Sequence, residues 1–257
     1  MTLGSSIDLT DAMEGDQLRL EWQAIVDART STPVAFEALV RWHHPDFGVL
    51  PPARFLPVGE RGSLGVALTI HVLNMALRQQ AAWREAGADY PISVNVSPDA
   101  LASMSMVKTV ADLLDCYECQ PERLTVEVTE RSCRVDVEGP RLSLLALARM
   151  GVRTSLDDFG MGESSLSRLQ RLHFDELKID QSFVTNLDRV PTDRCIVEFA
   201  TELAHGLGMR VVAEGVERRP VISYLQSLGV DLLQGFYFHR PCRPEAVEMA
   251  TFGGRGS

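Results

Sequence analysis

Arg153–Gly160, RTSLDDFG, reads as a short apolar-leaning strand that ends on two adjacent carboxylates and a Phe-Gly-x-Gly turn. Neighbouring anions repel, so something beside Asp157 and Asp158 has to offset that repulsion, either a cation or the water of a surface turn. The same strand-like pattern recurs along the chain. It appears in LRLEWQAIV from Leu18, VAFEALV from Val34, ISVNV from Ile92, LTVEVTE from Leu124, ELKID from Glu176, RVVAEG from Arg210 and DLLQGFYF from Asp231. Stretches of helical period lie between these runs. One places Ile70, Leu73 and Leu77 on a shared face, and another does so with Ile196, Phe199, Leu203 and Leu207. Gly87, Gly151, Gly208 and Gly229 stand near the ends of such helices, where a left-handed cap is wanted. Eight strands alternating with helices over 257 residues predict an α/β fold, a (β/α)8 TIM-like barrel. The alternative, a doubly wound sheet, would carry a Gly-rich phosphate loop of the GxGxxG or GxxxxGK[ST] kind, and none occurs.

The hydrophobic content of 45% is enough for one sizeable core. A formal net charge of −10 argues against a duplex nucleic-acid surface and against a basic membrane-binding stripe. It leaves room for an anionic small molecule if metal ions intervene. No apolar run approaches the ~18 residues of a transmembrane helix, and the polar start MTLGSSIDLTDAMEGDQ does not resemble a signal peptide. Five cysteines form no disulfide framework. Cys116 and Cys119 make one CxxC at an expected helix end, while Cys133, Cys195 and Cys242 stand singly, so no zinc ribbon is expected. Ordinary thiols suit a reducing, cytoplasmic setting. The expected division is a lead over residues 1–8, one barrel domain over 9–247 and a disordered tail over 248–257.

The polar residues at or near the ends of the strand-like runs are Glu37, Asn95, Glu127, Asp157 with Asp158, Lys178, Glu214 and Gln234. In a parallel barrel those ends gather at one mouth, where catalytic groups collect. A Glu inside VAFEALV or LTVEV is otherwise awkward, because a core-facing strand has no place for an unpaired carboxylate. Converging carboxylates call for cations, and an all-oxygen set suits Mg²⁺ or Mn²⁺. Asp157 and Asp158 can reach two ions about 3.5–4 Å apart, the spacing of two-metal phosphoryl hydrolysis, with Lys178 orienting a water or neutralising charge. Taken singly, each residue has a plainer reading. The Asp pair can be a solvated turn, Lys178 can snorkel outward, Asn95 can satisfy backbone groups and Glu130 can brace a loop. His43 and His44 lie near Glu37, but no HxxxH or HExxH pairing exists, so they are expected at the surface.

With these residues in hand, the chain resembles the EAL domains, bacterial phosphodiesterases of cyclic di-GMP. FEALVRW at Phe36 followed by HHP, then ISVNVS, LTVEVTE, LDDFGMG, ELKIDQSFV, VVAEGVE and LLQGFYFHRP, appear in the family's order from about Leu9 to Pro244. The resemblance implies a barrel whose first strand is antiparallel to the rest. It implies two Mg²⁺ or Mn²⁺ ions and opening of one phosphodiester bond to give linear pGpG. Glu37, Asn95, Glu127 and Asp157 then correspond to ligands of one ion, with Asp157 bridging to a second that Asp158 also holds. Lys178 would contact the attacking water, and Glu214 is the candidate base. Glu217 and Gln234 complete the surrounding contacts, and Arg41 would clamp a substrate phosphate with its forked donors. Glu130 would anchor the loop after the double Asp. A homodimer formed near that loop and a sensor or regulatory domain in the parent protein are also expected.

This chain departs from the family where its loop reads DDFGMGESS. Met161 stands for the usual Thr and Glu163 for the usual aromatic, which points to an active enzyme that is slower or more dependent on its dimer state. Trp22-Gln23-Ala24 replaces the usual YQP and reads as a packing variation. Two rival functions remain: a catalytically weak or inactive cyclic di-GMP-binding signalling module, and a metal-dependent barrel lyase acting on a carboxylate substrate.

Overall fold

In the computed structural model, which describes residues 6–56, 62–132, 138–161 and 172–247, the first strand sets the barrel's inside and outside. β1 (Leu18–Asp27) alternates, burying Leu18, Leu20 and Trp22 on the face that meets helices and turning Arg19, Glu21 and Gln23 the other way. It lies antiparallel to both its neighbours, β2 (Pro33–His44) and β9 (Leu232–Gln234). The remaining barrel strands run parallel in the order β2, β4 (Ile92–Asn95), β5 (Leu124–Thr129), β6 (Arg153–Phe159), β7 (Glu176–Ile179), β8 (Arg210–Ala213) and β9. The sheet therefore closes into eight strands with an inverted first member. A ninth strand that the sequence reading lacked, β3 (Gly48–Leu50), pairs with the end of β2.

Helices cover the outside. α1 (Ser6–Glu14) sends Leu9 and Ala12 into the core. α2 (Gly62–Glu85) buries Leu73 and Leu77 as expected, together with Leu68, Val72, Ala76 and Trp83, while Ile70 is only half-buried. Trp83 meets Trp22 edge-on at 4.6 Å between ring centres and packs on Phe36, which ties this helix to the first two strands. Then follow α3 (Pro98–Leu101), α4 (Met104–Cys116), α5 (Glu138–Met150), α6 (Gln181–Val184), α7 (Pro191–Gly206) and α8 (Arg219–Ser227). The four expected glycine stops do fall past helix ends with positive φ. At Gly151 (φ 92°) and Gly229 (φ 80°) the next residue donates back to the last turn, Val152 to Leu147 and Val230 to Leu225.

One helix turns a different face inward than the periodicity suggests. α7 presents Val197, Ala200, Thr201 and Ala204 to the barrel, and leaves the row Ile196, Phe199, Leu203 and Leu207 half-buried or exposed, with Phe199 at 52%. Two apolar rows one residue apart are both compatible with a 3.6-residue period. The gap over β7 and β8 admits the smaller side chains.

Register fixes the interior. An eight-stranded barrel with a shear of about 8 climbs roughly one residue per strand, so each layer draws on alternate strands. The observed pairings put Glu37, Glu127, Lys178 and Gln234 in one layer. Above it, toward the C-terminal strand ends, come Gln23, Asn95, Asp157 and Glu214. Below it come Ile25, Ser93, Ser155 and Val212, and then Ala35, Thr125, Glu176 and Leu232. Ile25, Val212 and Leu232 form an apolar cluster of their own with Ala35 beside it, separate from the main core.

Candidate active site

Lys178 organises the two upper layers. Its side chain is 1% exposed, and Nζ lies 2.6 Å from Glu214 Oε1, 2.8 Å from Glu127 Oε2, 3.4 Å from Glu37 Oε2 and 3.6 Å from Asp157 Oδ1. Burial alone would pull this ammonium down, but Asp157, Glu127, Glu214 and Glu37 reverse that and hold its pKa well above the ordinary lysine range. Lys178 is therefore a buried cation among four carboxylates rather than an outward snorkelling residue.

The carboxylates themselves divide. Burial works against the charge on Glu37, yet Lys178 and hydrogen bonds from Gln234 Nε2 (2.6 Å) and Asn95 Nδ2 (2.8 Å) prevail and keep its pKa below the usual value. Burial, reinforced by the neighbouring Glu37 and Asp157, pushes Glu127 well up despite Lys178. Burial likewise raises Glu214 to about 8, with Asp157 and Glu37 adding to it against the pull of Lys178.

Strand alternation would send Asp157 and Asp158 to opposite faces. The β6–β7 register is irregular between Leu156 and Phe159, and Asp158 adopts a left-handed backbone with φ 56°. That turn brings the second carboxylate back toward the mouth. Oxygens of Asp157, Asp158 and Glu214 all lie within 4.8 Å of one another. A left-handed non-glycine residue costs of order 1–3 kcal/mol and persists where its surroundings enforce it. Here the Asp158 N–H donates to Asp157 Oδ1 at 3.0 Å, and the Met161 N–H donates to the Asp158 carbonyl at 3.1 Å. Gly160 (φ 98°) sits against the Phe183 ring, leaving no room for a Cβ.

Two cavities open on either side of Asp157. One, of about 340 Å³, is lined by Glu37, Arg41, Gln181, Glu214, Glu217 and Gln234, with Phe236 at its rim. The other, of about 420 Å³, is mainly apolar, with Leu56, Leu68, Val72, Val96 and Pro98 facing Asn95 and Asp158. Leu39 and Asp157 line both. Arg41 is held from β1 by Glu21, whose Oε2 accepts from Nε at 2.7 Å, while one terminal nitrogen donates to the Val40 carbonyl. Glu217 is exposed and Glu130 is buried. The loop that Glu130 was expected to anchor, including Glu163, lies outside the described residues.

Every site residue expected from the sequence except Glu130 either contacts the carboxylate–lysine cluster or lines one of these cavities. The histidines fall outside, His43 exposed and His44 half-buried. Cys116 is exposed and Cys119 buried, with burial raising the Cys119 thiol pKa and so disfavouring its thiolate. Gln23, which the sequence suggests only as part of a packing variation, accepts from Gln234 Nε2 at 3.3 Å and lines the smaller cavity. Period-two alternation through Arg19, Glu21, Gln23 and Ile25 was the available signal.

The donor set fits divalent cations. All the groups offered are carboxylate or amide oxygens, three carboxylates already lie within one ion's reach, and the only buried counter-charge among the described residues here is Lys178. A closed α/β barrel with an inverted first strand and an acidic mouth is the class of protein that fold and site define. The chain belongs to the EAL domain family, whose model matches residues 7–241. It is 39% identical over 241 residues to the bifunctional diguanylate cyclase/cyclic di-GMP phosphodiesterase MucR of Pseudomonas aeruginosa, covering 93% of this chain and 35% of that protein. It is 33% identical over 246 residues to the signaling protein YkoW of Bacillus subtilis, covering 96% and 31%. The chain thus spans about a third of the length of these relatives. Among solved structures, the c-di-GMP complex of the PaMucR phosphodiesterase matches with a TM-score of 0.88 at 39% identity over 94% of this chain and 98% of that one. The EAL enzyme Bd1971, bound to cAMP and cyclic-di-GMP, matches with 0.89 at 27% identity over 94% and 66%.

Proposed function

We propose that this chain hydrolyses one phosphodiester bond of cyclic di-GMP to linear pGpG. The observation that carries the reading is the convergence of Glu37, Glu127 and Asp157 from separate strands, and of Glu214 from just past β8, on the buried Lys178, with Asp158 turned back beside them. Glu37, Asn95, Glu127 and Asp157 would hold one divalent cation, and Asp157 with Asp158 a second. Two Mg²⁺ or Mn²⁺ ions, when bound, supply neutralisation of the phosphate and a water acidic enough to ionise near neutral pH.

The chain's own residues supply the rest. Arg41, with Nε committed to Glu21, turns its remaining fork donors to a phosphate oxygen. Lys178 contacts the attacking water and keeps the inner carboxylates from repelling one another. Glu214, raised to about 8, holds or takes a proton at its carboxyl near neutral pH. Gln234 and Gln23 fix Glu37 from the side through linked amides, and Glu217 lines the cavity as part of the substrate surround. Glu130 anchors the loop after the double Asp. The two cavities meeting at Asp157 give a nucleotide to each side and the scissile phosphate to the junction.

The same proposal includes a single EAL-type barrel over residues 9–247 between a lead (1–8) and a tail, a cytoplasmic setting, a homodimer, and a sensor or regulatory domain in a longer parent protein. The chain's share of its relatives' length supports the last point, and the outward apolar row on α7 supports the dimer. No described helix is long and apolar enough to cross a membrane. Purified protein incubated with cyclic di-GMP and Mg²⁺ or Mn²⁺ should release pGpG, and Glu37→Ala should abolish it. Tight binding without pGpG under both metals would leave a binding module instead. Met161, 52% exposed and accepting from Ser182 Oγ where the family has a threonine hydroxyl, is the observation in favour of that second reading.

A further inference from the structure

The layers beneath the site differ from an ordinary barrel interior. Bulky branched residues normally fill these positions. Here one half obeys that rule, with Ile25, Val212, Leu232 and the smaller Ala35 packed together on the β8, β9, β1 and β2 side. The other half is a polar stripe of one residue per strand: Ser93 on β4, Thr125 on β5, Ser155 on β6 and Glu176 on β7. It begins directly below Glu127 and Lys178, and ends where Glu176 pairs with Arg210 at 2.6 Å at the opposite end of the barrel. Ser93 is 2% exposed and Ser155 0%, and neither hydroxyl has a hydrogen-bond partner among the described residues. Gln234 Oε1, in the layer above, is also buried and unpartnered.

An orphaned buried hydroxyl costs of order 1–3 kcal/mol, so native interiors rarely keep two in adjoining positions. Serines in place of branched aliphatics also leave volume, and a water needs two to four polar partners in such a space. The two unpartnered hydroxyls, Ser93 Oγ and Ser155 Oγ, are the polar partners this layer offers. We propose that Ser93 and Ser155 bind ordered water beneath the carboxylate–lysine layer, and that this water positions Glu37, Glu127 and Lys178 for the divalent cations. The second half of this rests on the metal-site reading above. Ser93 and Ser155 are positioning residues: their hydroxyls hold the water, and the water offers hydrogen bonds upward to side chains otherwise supported only from the sides and top. Partners one step behind metal ligands typically govern affinity by 10–100-fold.

A crystal structure of the wild-type chain at about 1.5 Å resolution tests the first half. Ordered water within hydrogen-bond distance of both Ser93 Oγ and Ser155 Oγ is expected. A dry interior, with both hydroxyls turned onto strand carbonyls, overturns the proposal. Calorimetric titration with Mn²⁺ tests the second half. Ser155→Val, which removes the hydroxyl and fills the space, should weaken Mn²⁺ binding about tenfold or more, while Ser155→Thr, which keeps a hydroxyl, should stay near wild type. If the valine variant does not fold, Ser155→Ala replaces it in the same titration. Unchanged Mn²⁺ affinity in a folded variant refutes the positioning role while leaving the metal site intact. A wild-type chain that takes up no Mn²⁺ refutes the positioning role and the metal reading together, and leaves the water to the crystal structure.

Discussion

Replacing Lys178 by Met tests the buried counter-charge, because it removes the ammonium and keeps an unbranched side chain one atom shorter. In the wild-type chain Nζ sits within 3.6 Å of four carboxylate oxygens, three from strands β2, β5 and β6 and one from Glu214 just past β8. All four groups repel one another in its absence, and the nearly isosteric thioether satisfies none of them. Removing one partner of a buried ion pair typically costs about 3–5 kcal/mol. The deficit should stay within that range, since burial has raised the pKa of both Glu127 and Glu214 and either can take up a proton to limit the repulsion. For a domain of this size each kcal/mol is worth about 2–4 °C, so the variant in EDTA should melt roughly 6–20 °C below wild type.

Divalent cations should narrow the gap. If Mg²⁺ or Mn²⁺ neutralises the same carboxylates, saturating metal stabilises K178M more than wild type, because the variant has more uncompensated charge to relieve. Differential scanning calorimetry with and without Mn²⁺ measures both numbers. An unchanged melting temperature in EDTA would mean that Lys178 is not the counter-charge of this cluster. A large loss that Mn²⁺ fails to reduce would mean that the carboxylates do not share a metal. Either result removes the reasoning behind the proposed site.

Other consequences follow from the same geometry. Metal-free wild-type protein should lose stability to urea as pH rises from about 5 to 8. Glu214 and Glu127 have folded pKa values above their unfolded ones, so the fold binds more protons there than the unfolded chain does, and stability declines as pH climbs; a flat or rising profile contradicts this. Gly235→Ala should destabilise by several kcal/mol, of the order seen for overpacked cores, because its Cβ would overlap the backbone N and O of Val216 and push Gln234 off Glu37; a variant with wild-type stability in denaturant titration would exclude that clash. Phe199→Glu should shift a dimer toward monomer in light scattering with little loss of stability, since the ring is already 52% exposed; a still-dimeric F199E places the interface elsewhere.

Much of this arrangement was legible because charge inside an apolar strand is expensive. Glu37 in VAFEALV and Glu127 in LTVEV could only be tolerated where a partner waited, so the strand ends mark most of the cluster in the sequence itself. Two further facts depended on the third dimension. A lysine in LKID reads equally well as an outward snorkel, and only barrel closure places its ammonium among carboxylates as far away in sequence as Glu37, 141 positions back. Asp158 was expected beside Asp157, but alternation alone would have turned it away, and the left-handed backbone that turns it back belongs to no motif of side chains.

The α7 face failed for a different reason. Helical periodicity specifies that one side is apolar, and a helix with two adjoining apolar rows leaves the choice to what lies underneath. Val197, Ala200 and Ala204 are the row buried against the barrel, while the larger Phe199 is left to solvent or to a partner. The barrel interior obeys the same logic in reverse. Ser93 and Ser155 looked like unremarkable strand residues in ISVNV and RTSLDDF, since nothing local marks a serine as inward-facing. Only the register, carried strand by strand around the closed sheet, stacks them under Glu127 and Lys178. The chemistry of this mouth therefore depends on two layers: the acidic one that a reader of the sequence notices, and a small polar one beneath it that determines how firmly the first is held.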